Sequence, residues 1–197
     1  MGDQTTPHRA LIDVEDSLLV AIDVQAAFLE KLPPADRQPL LDRICWLIRV
    51  AVCLNVPLIV TAEDVADLGS IDPQVAQALP PGTSIYDKMV YGLSADPAIL
   101  SAVERTGRKT AILIGLETDV CVAHSAIGLQ QHGYQVVVVA DATGSPGTAH
   151  ALGLDRVRGA GALVMATKGL FYEWLRTVER TKQFWAQHGE TVGPRPW

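Results

Sequence analysis

Residues Val136–Ala140 read VVVVA, five apolar and mostly β-branched residues in a row. No other stretch constrains the fold as tightly. A strand that is apolar toward both faces needs cover on both, which is the situation of an inner strand in a parallel sheet layered between helices. Shorter runs of similar character recur at Leu18–Ile22 (LLVAI), Val56–Val60 (VPLIV), Ser84–Met89 (SIYDKM), Thr110–Ile114 (TAILI) and Ala162–Ala166. Helical patterns separate them. Leu40, Ile44, Leu47, Ile48 and Ala51 mark an amphipathic helix over residues 36–54. Pro97–Arg105, Cys121–His132 (with Gly133 as its C-cap) and His150–Arg158 follow. Phe171, Trp174, Leu175 and Val178 share one face of a last helix from Phe171 to about Gln187. Residues 62–83, with Gly69, Pro73, Pro80, Pro81 and Gly82, read as a long loop holding at most one helical turn. This alternation predicts an α/β domain with a parallel sheet covered by helices on both faces.

The chain has 197 residues, the size of one domain, so residues 1–197 are read as a single unit. Its 48% hydrophobic and 19% charged residues describe a chain with a substantial core, not a disordered one. The net charge is −6 and no Lys/Arg cluster is present, which argues against nucleic acid and anionic membranes as partners. No apolar run approaches the roughly 20 residues of a membrane span. Residues 1–15 read as a flexible leader, although MGDQTT at Met1–Thr6 formally fits the degenerate myristoylation pattern. Residues 188–197 read as a tail available for an oligomer contact. The three cysteines, Cys45, Cys53 and Cys121, show no CxxC or Cys/His spacing. An odd count without a signal peptide points to reduced thiols in a cytoplasm.

In open parallel sheets, ligands bind beyond the carboxyl ends of the strands. That rule selects Asp23, Glu63, Asp64, Lys88, the segment Gly115–Cys121 (GLETDVC) and Asp141. Cys121 falls in the first turn of a helix, where free N–H groups and the helix dipole favour a thiolate, and Thr118 or Asp119 could cap that helix. A working thiol needs a base and a cation, which Asp23 and Lys88 would supply from the same sheet edge. Taken singly, each residue has a plainer explanation: core packing for a cysteine, a cap or solvated surface for Asp and Lys. Cys45 and Cys53 read as inert packing, and His124 as a pocket-lining or interface residue.

Four stretches together carry a resemblance: LLVAIDVQAAFL with Asp23, Gln25 and Phe28; YDKMVYG with Lys88; GLETDVCV with Gly115, Thr118, Asp119 and Cys121; and GYQVVVVADATGS from Gly133 to Ser145. In this order, over about residues 18–175, the sequence resembles the isochorismatase-like cysteine hydrolase superfamily, which includes nicotinamidases and N-carbamoylsarcosine amidohydrolases. The resemblance implies a three-layer, Rossmann-like fold whose six-stranded parallel sheet has the order 3-2-1-4-5-6. It also implies a triad: Cys121 as nucleophile, Asp23 as general base and later acid, Lys88 as its cationic partner. A non-proline cis peptide at Leu116–Glu117 would aim the Glu117 N–H, with that of Cys121, at an oxyanion. By this reading Cys121 attacks the carbonyl of a small carboxamide or ureido substrate. Asp23 then protonates the departing amine and activates a water that hydrolyses the thioester.

Gln25, Phe28, Tyr91 and Thr118 are the candidate substrate-binding residues, with Gln25 and Asp119 also suited to holding loop geometry. Nicotinamidase-like members bind a metal through an Asp and paired histidines after strand two. Here no histidine occurs from Thr61 to Pro73, so neither a metal nor another cofactor is expected, and Glu63, Asp64 and Asp67 read as a solvated acidic loop. Retention of Cys121 argues against vinyl-ether hydrolysis. Family members assemble as dimers or larger rings, and the aromatic content around Trp174, Trp185 and Trp197 adds to the expectation of a homo-oligomer. Two other classes remain open: a catalytically retired binding or assembly protein on the same fold, and a hydrolase of a non-amide substrate. A redox thiol protein lacks a nearby resolving cysteine.

Overall fold

A computed structural model describes residues 11–197 of the chain. Its six strands are β1 (Ser17–Ile22), β2 (Leu58–Glu63), β3 (Ile85–Lys88), β4 (Thr110–Leu116), β5 (Gln135–Gly144) and β6 (Leu163–Met165). They form one parallel sheet in the order β3-β2-β1-β4-β5-β6. β1 sits at the centre, with Leu19 opposite Leu58 on one side and Ile112 on the other. Because all strands run one way, all their carboxyl ends arrive at one edge.

Side chains alternate across the sheet with period two. Leu18, Val20 and Ile22 of β1 face a core formed with α5 (Pro97–Arg105), α6 (Ala123–Gln131) and α7 (Ala149–Gly159), through Ile99, Val103, Ala126, Leu129, Leu154 and Val157. Leu19 and Ala21 face the opposite core. There α1 (Ala26–Leu29), α2 (Pro34–Cys53), α8 (Thr167–Leu175) and α9 (Val178–Val192) contribute Phe28, Trp46, Ile48, Phe171, Trp174 and Phe184. Each such large apolar side chain stabilises the fold by about 1.5–3 kcal/mol on burial.

Several boundaries differ from the sequence reading. β2 begins two residues later than expected, after Pro57, and runs on to Glu63, so the expected loop starts later. That loop also holds two short helices, α3 (Val65–Leu68) and α4 (Pro73–Ala78). Asp72 caps α4 by accepting from the Gln74 N–H, with Pro73 at the first position, where a missing N–H costs nothing. The last helix is two: Arg176 adopts φ 67°, ending α8, and the Thr177 hydroxyl caps α9 by accepting from the Arg180 N–H.

Of the expected leader, residues 1–10, including the Met1–Thr6 pattern, lie outside the described residues. Residues 11–15 are not a loose extension. Ile12 and Val14 are buried, the Ile12 N–H donates to Glu173 Oε2 at 2.7 Å, and Arg176 donates to the Leu11 and Ile12 carbonyls. The expected tail also folds back on its own chain. Val192 is fully buried, and Trp197 packs edge-on to Trp46 with ring centroids 4.8 Å apart. Among the described residues no helix is long and apolar enough to cross a membrane.

Candidate active site

The carboxyl ends of β1, β2, β3 and β4 bring four candidate side chains together. Asp23 follows β1 with φ 49°, a left-handed conformation uncommon for a residue other than glycine. It is held by its N–H on the Thr61 carbonyl (3.1 Å) and by the Gln25 N–H on its own carbonyl (2.8 Å). The chain beside it must be glycine. Gly115 has φ 113°, and a Cβ there would overlap the Ile22 carbonyl. After β4 comes the cis peptide Leu116–Glu117, then a π-helical turn over Thr118–Val122 that carries Cys121 into α6.

Lys88, the last residue of β3, lies at the focus. Its Nζ is 2.7 Å from Asp23 Oδ2, 3.2 Å from Glu63 Oε2 and 3.6 Å from Cys121 Sγ, and it donates to the Val90 carbonyl at 2.9 Å. The Thr61 hydroxyl donates to Asp23 Oδ1 at 2.8 Å. Cys121 Sγ donates to Glu63 Oε2 at 3.1 Å. Asp23 and Lys88 are fully buried and Cys121 is 2% exposed. The sequence-derived trio of Asp23, Lys88 and Cys121 is thus one contiguous cluster.

The electrostatics of the cluster follow from burial and from its balance of charge. Burial raises the pKa of the Asp23 carboxyl, opposed chiefly by Lys88 and then by the Thr61 hydroxyl. Burial pulls Lys88 down, but the neighbouring Asp23 carboxylate, with Cys121 and Glu63, more than offsets this and holds it above the ordinary lysine value. Cys121 is pushed up, first by burial and next by Asp23, with Lys88 opposing and Glu63 adding to the rise. This reverses the depressed thiol expected from a helix start. Two carboxylates already share one ammonium, so further negative charge is disfavoured unless a proton moves within the cluster. Nor do the expected caps form. Thr118 Oγ1 pairs with His150 Nδ1 at 2.8 Å, and Asp119 Oδ1 accepts from Ser145 Oγ at 2.7 Å.

The remaining candidates divide by environment. Gln25 is fully buried, and its carboxamide is used up within the protein: Nε2 donates to the Glu63 and Gly69 carbonyls (2.8 and 2.6 Å), and Oε1 accepts the Glu63 N–H (2.7 Å). That makes it a strut under Glu63, in keeping with a loop-holding role and not with substrate contact. Thr118 is likewise fully buried and engaged by His150. Phe28 is buried beneath Lys31, whose Nζ lies 4.6 Å from the ring centroid and 3.3 Å from the Glu117 carboxylate. Tyr91 is 55% exposed and stands edge-on to His124 at 6.0 Å. Cys45 lies in the core, where burial pushes its thiol up to about 11, and Cys53 is partly buried.

Glu63 is the residue that the strand-end rule picked out and the sequence reading then set aside as part of a solvated acidic loop. Ending strand two at Val60 placed it in an acidic loop; in the structure it closes β2, in register with Lys88. A charge at the third position past an apolar run was the available signal, since the ends of paired parallel strands share an edge.

Ligand atoms of Asp23, Glu63 and Cys121 lie within 4.8 Å of one another, close enough to hold a metal ion. The donor set does not suit one. The Lys88 ammonium contacts all three residues and already supplies the positive charge they require.

A three-layer parallel domain carrying an acid, a lysine and a thiol at its carboxyl edge defines a class that comparison with known proteins specifies further. The model of the Isochorismatase domain matches residues 17–169, and the chain belongs to the isochorismatase family, a family of hydrolases. Among relatives, the Probable hydrolase YcaC of Escherichia coli is 27% identical over 191 residues, covering 93% of this chain and 91% of that protein. The Secreted isochorismatase effector Isc1 of Phytophthora sojae is 30% identical over 136 residues, covering 64% of this chain and 62% of its own length. The chain thus spans less than two thirds of that second relative. The solved Escherichia coli YcaC, described as an octameric hydrolase of unknown specificity, superposes with a TM-score of 0.81 at 24% identity, covering 95% of each chain. YcaC from Pseudomonas aeruginosa, solved with hexane-2,5-diol and covalent acrylamide, gives 0.79 at 24% identity over 92% of this chain and 93% of that one.

Proposed function

We propose that the protein is a cysteine hydrolase that cleaves a C–N bond of a small carboxamide or ureido compound through a thioester on Cys121. The observation that carries this reading is the enclosed contact of Lys88 Nζ with both the Asp23 carboxylate and Cys121 Sγ. Asp23 takes the thiol proton, and Lys88 stabilises the thiolate and keeps the two anionic groups together. Sγ attacks the carbonyl carbon, with the backbone N–H groups of Glu117 and Cys121 as donors to the developing oxyanion. Asp23 returns its proton to the leaving amine, and water then hydrolyses the thioester. The raised Cys121 pKa is compatible with this sequence, because the proton is transferred within the cluster and is not lost to solvent.

The octamer described for Escherichia coli YcaC supports a homo-oligomer of this chain as well. The three free thiols suit a reducing, cytoplasmic compartment. Ammonia release across a panel of small amides and ureides tests the activity. Wild-type protein is expected to turn over at least one member, and Cys121→Ala to fall to background. Undiminished turnover by Cys121→Ala would remove the proposal.

A further inference from the structure

We propose that Glu63, and not Asp23, is the base that activates water in the second half-reaction, so that two carboxylates divide the chemistry. This inference rests on the thioester reading above and deepens it. Asp23 is badly placed to meet water. It is fully buried, with Oδ1 accepting from the Thr61 hydroxyl and Oδ2 against the Lys88 ammonium. Glu63 is open on one side. Its side chain is 18% exposed, Oε2 faces Cys121 Sγ and Lys88, and among the described residues no group donates to Oε1. Gln25 fixes the backbone on which this side chain stands through both the N–H and the carbonyl of Glu63. Glu63 is therefore the partly exposed member of the charged cluster, with one carboxylate oxygen against the sulfur.

The proton balance closes on these atoms. In the resting site Cys121 Sγ–H donates to Glu63 Oε2. Acylation removes that hydrogen and leaves Oε2 without its thiol donor. Water then approaches the thioester from the exposed side and gives one proton to the Glu63 carboxylate as its oxygen bonds to the carbonyl carbon. The C–S bond breaks, the acid product leaves, and the neutral Glu63 carboxyl returns its proton to Sγ over the same contact. Asp23 has by then given its proton to the amine and is again a carboxylate beside Lys88.

The test uses the full chain with 4-nitrophenyl acetate, whose nitrophenolate release reports acetylation as a burst and deacylation as the steady phase. Glu63→Gln is expected to keep a burst of about one equivalent while the steady phase slows roughly 10²-fold or more, with acetyl-Cys121 accumulating by intact mass. Glu63→Ala is expected to recover deacylation when formate is added. Iodoacetamide should alkylate Cys121 faster in Glu63→Gln than in wild type, since the carboxylate opposes thiolate formation; a merely damaged site would not gain reactivity. A steady phase within about threefold of wild type would overturn the proposal. So would an equal loss of burst and steady phase, which would make Glu63 only a prop for Lys88 and Cys121. A burst that survives in Cys121→Ala, or wild-type protein that never forms acetyl-Cys121, would instead sink the thioester reading itself.

Discussion

Lys88 and Asp23 meet at 2.7 Å with neither side chain exposed to solvent. Enclosed pairs of this kind contribute little net stability when intact, yet removing one partner leaves a charge that water cannot reach. Lys88→Met is therefore expected to destabilise the fold by about 3–5 kcal/mol, read from urea denaturation. Asp23→Asn, which keeps the shape and a hydrogen-bonding group, should cost less while lowering turnover by about 10²–10⁴-fold. Equal stability of Lys88→Met and wild type would mean the pair is wetter than the geometry indicates.

The sign of the Cys121 shift has a consequence for alkaline stability. A thiol raised above its ordinary 9.0 in the folded state keeps its proton after the unfolded chain has released it. Stability must then fall as pH climbs above about 9, by up to roughly 1.4 kcal/mol per pH unit for each such group. Lys88, raised above its ordinary 10.5, contributes stability that is complete below that value and is lost only at higher pH. Cys45 and Cys53 act in the same direction from about pH 9, and Tyr134, raised above its ordinary 10.0 by burial, joins them at the upper end of this window. Urea midpoints between about pH 9 and 10.5 should decline less steeply in Cys121→Ala than in wild type. Parallel profiles would contradict the shift.

Gly115 is the point where β4 passes the Ile22 carbonyl, and its backbone is one that L-residues rarely adopt. Gly115→Ala places a methyl group against main chain that cannot rotate away. The expected loss is about 3 kcal/mol or more, measured as a fall in urea midpoint, with Asp23 displaced as a result. A folded Gly115→Ala variant with full turnover would show that the β1–β4 edge is more forgiving than its packing suggests.

Gln25→Leu tests the strut beneath Glu63. It strands the Glu63 N–H and carbonyl and the Gly69 carbonyl, at about 1–3 kcal/mol for each group left unsatisfied. Because the affected backbone carries Glu63 and not Cys121, the steady phase with 4-nitrophenyl acetate should slow more than the burst. Equal slowing would assign Gln25 to general stability alone.

The alternation of strands and helices was legible in the apolar runs, and the strand-end rule picked out Asp23, Lys88 and Cys121 one by one, but the strand order and the grouping of the three came from the resemblance carried by four motifs. Glu63 was noticed but set aside as loop, because Thr61, Ala62 and Glu63 lack the apolar signature of a strand and are held in one by pairing with β1 and β3. The break at Arg176 escaped for a related reason. No glycine or proline marks it, and it is set by the Thr177 cap and by Arg176 reaching the Leu11 and Ile12 carbonyls from far away in sequence. The thiol's direction of shift also depended on neighbours. A helix start alone favours a thiolate, but burial beside two carboxylates outweighs it.

The proposed chemistry stands or falls with an acyl group carried on Cys121. Its most direct measurement is the intact mass of the wild-type protein quenched during turnover of a substrate found in the amide and ureide panel, followed by mapping of the modified peptide. One acyl increment is expected on Cys121, lost on further incubation and accumulating in Glu63→Gln. Turnover with no covalent species on Cys121 in either protein would contradict it.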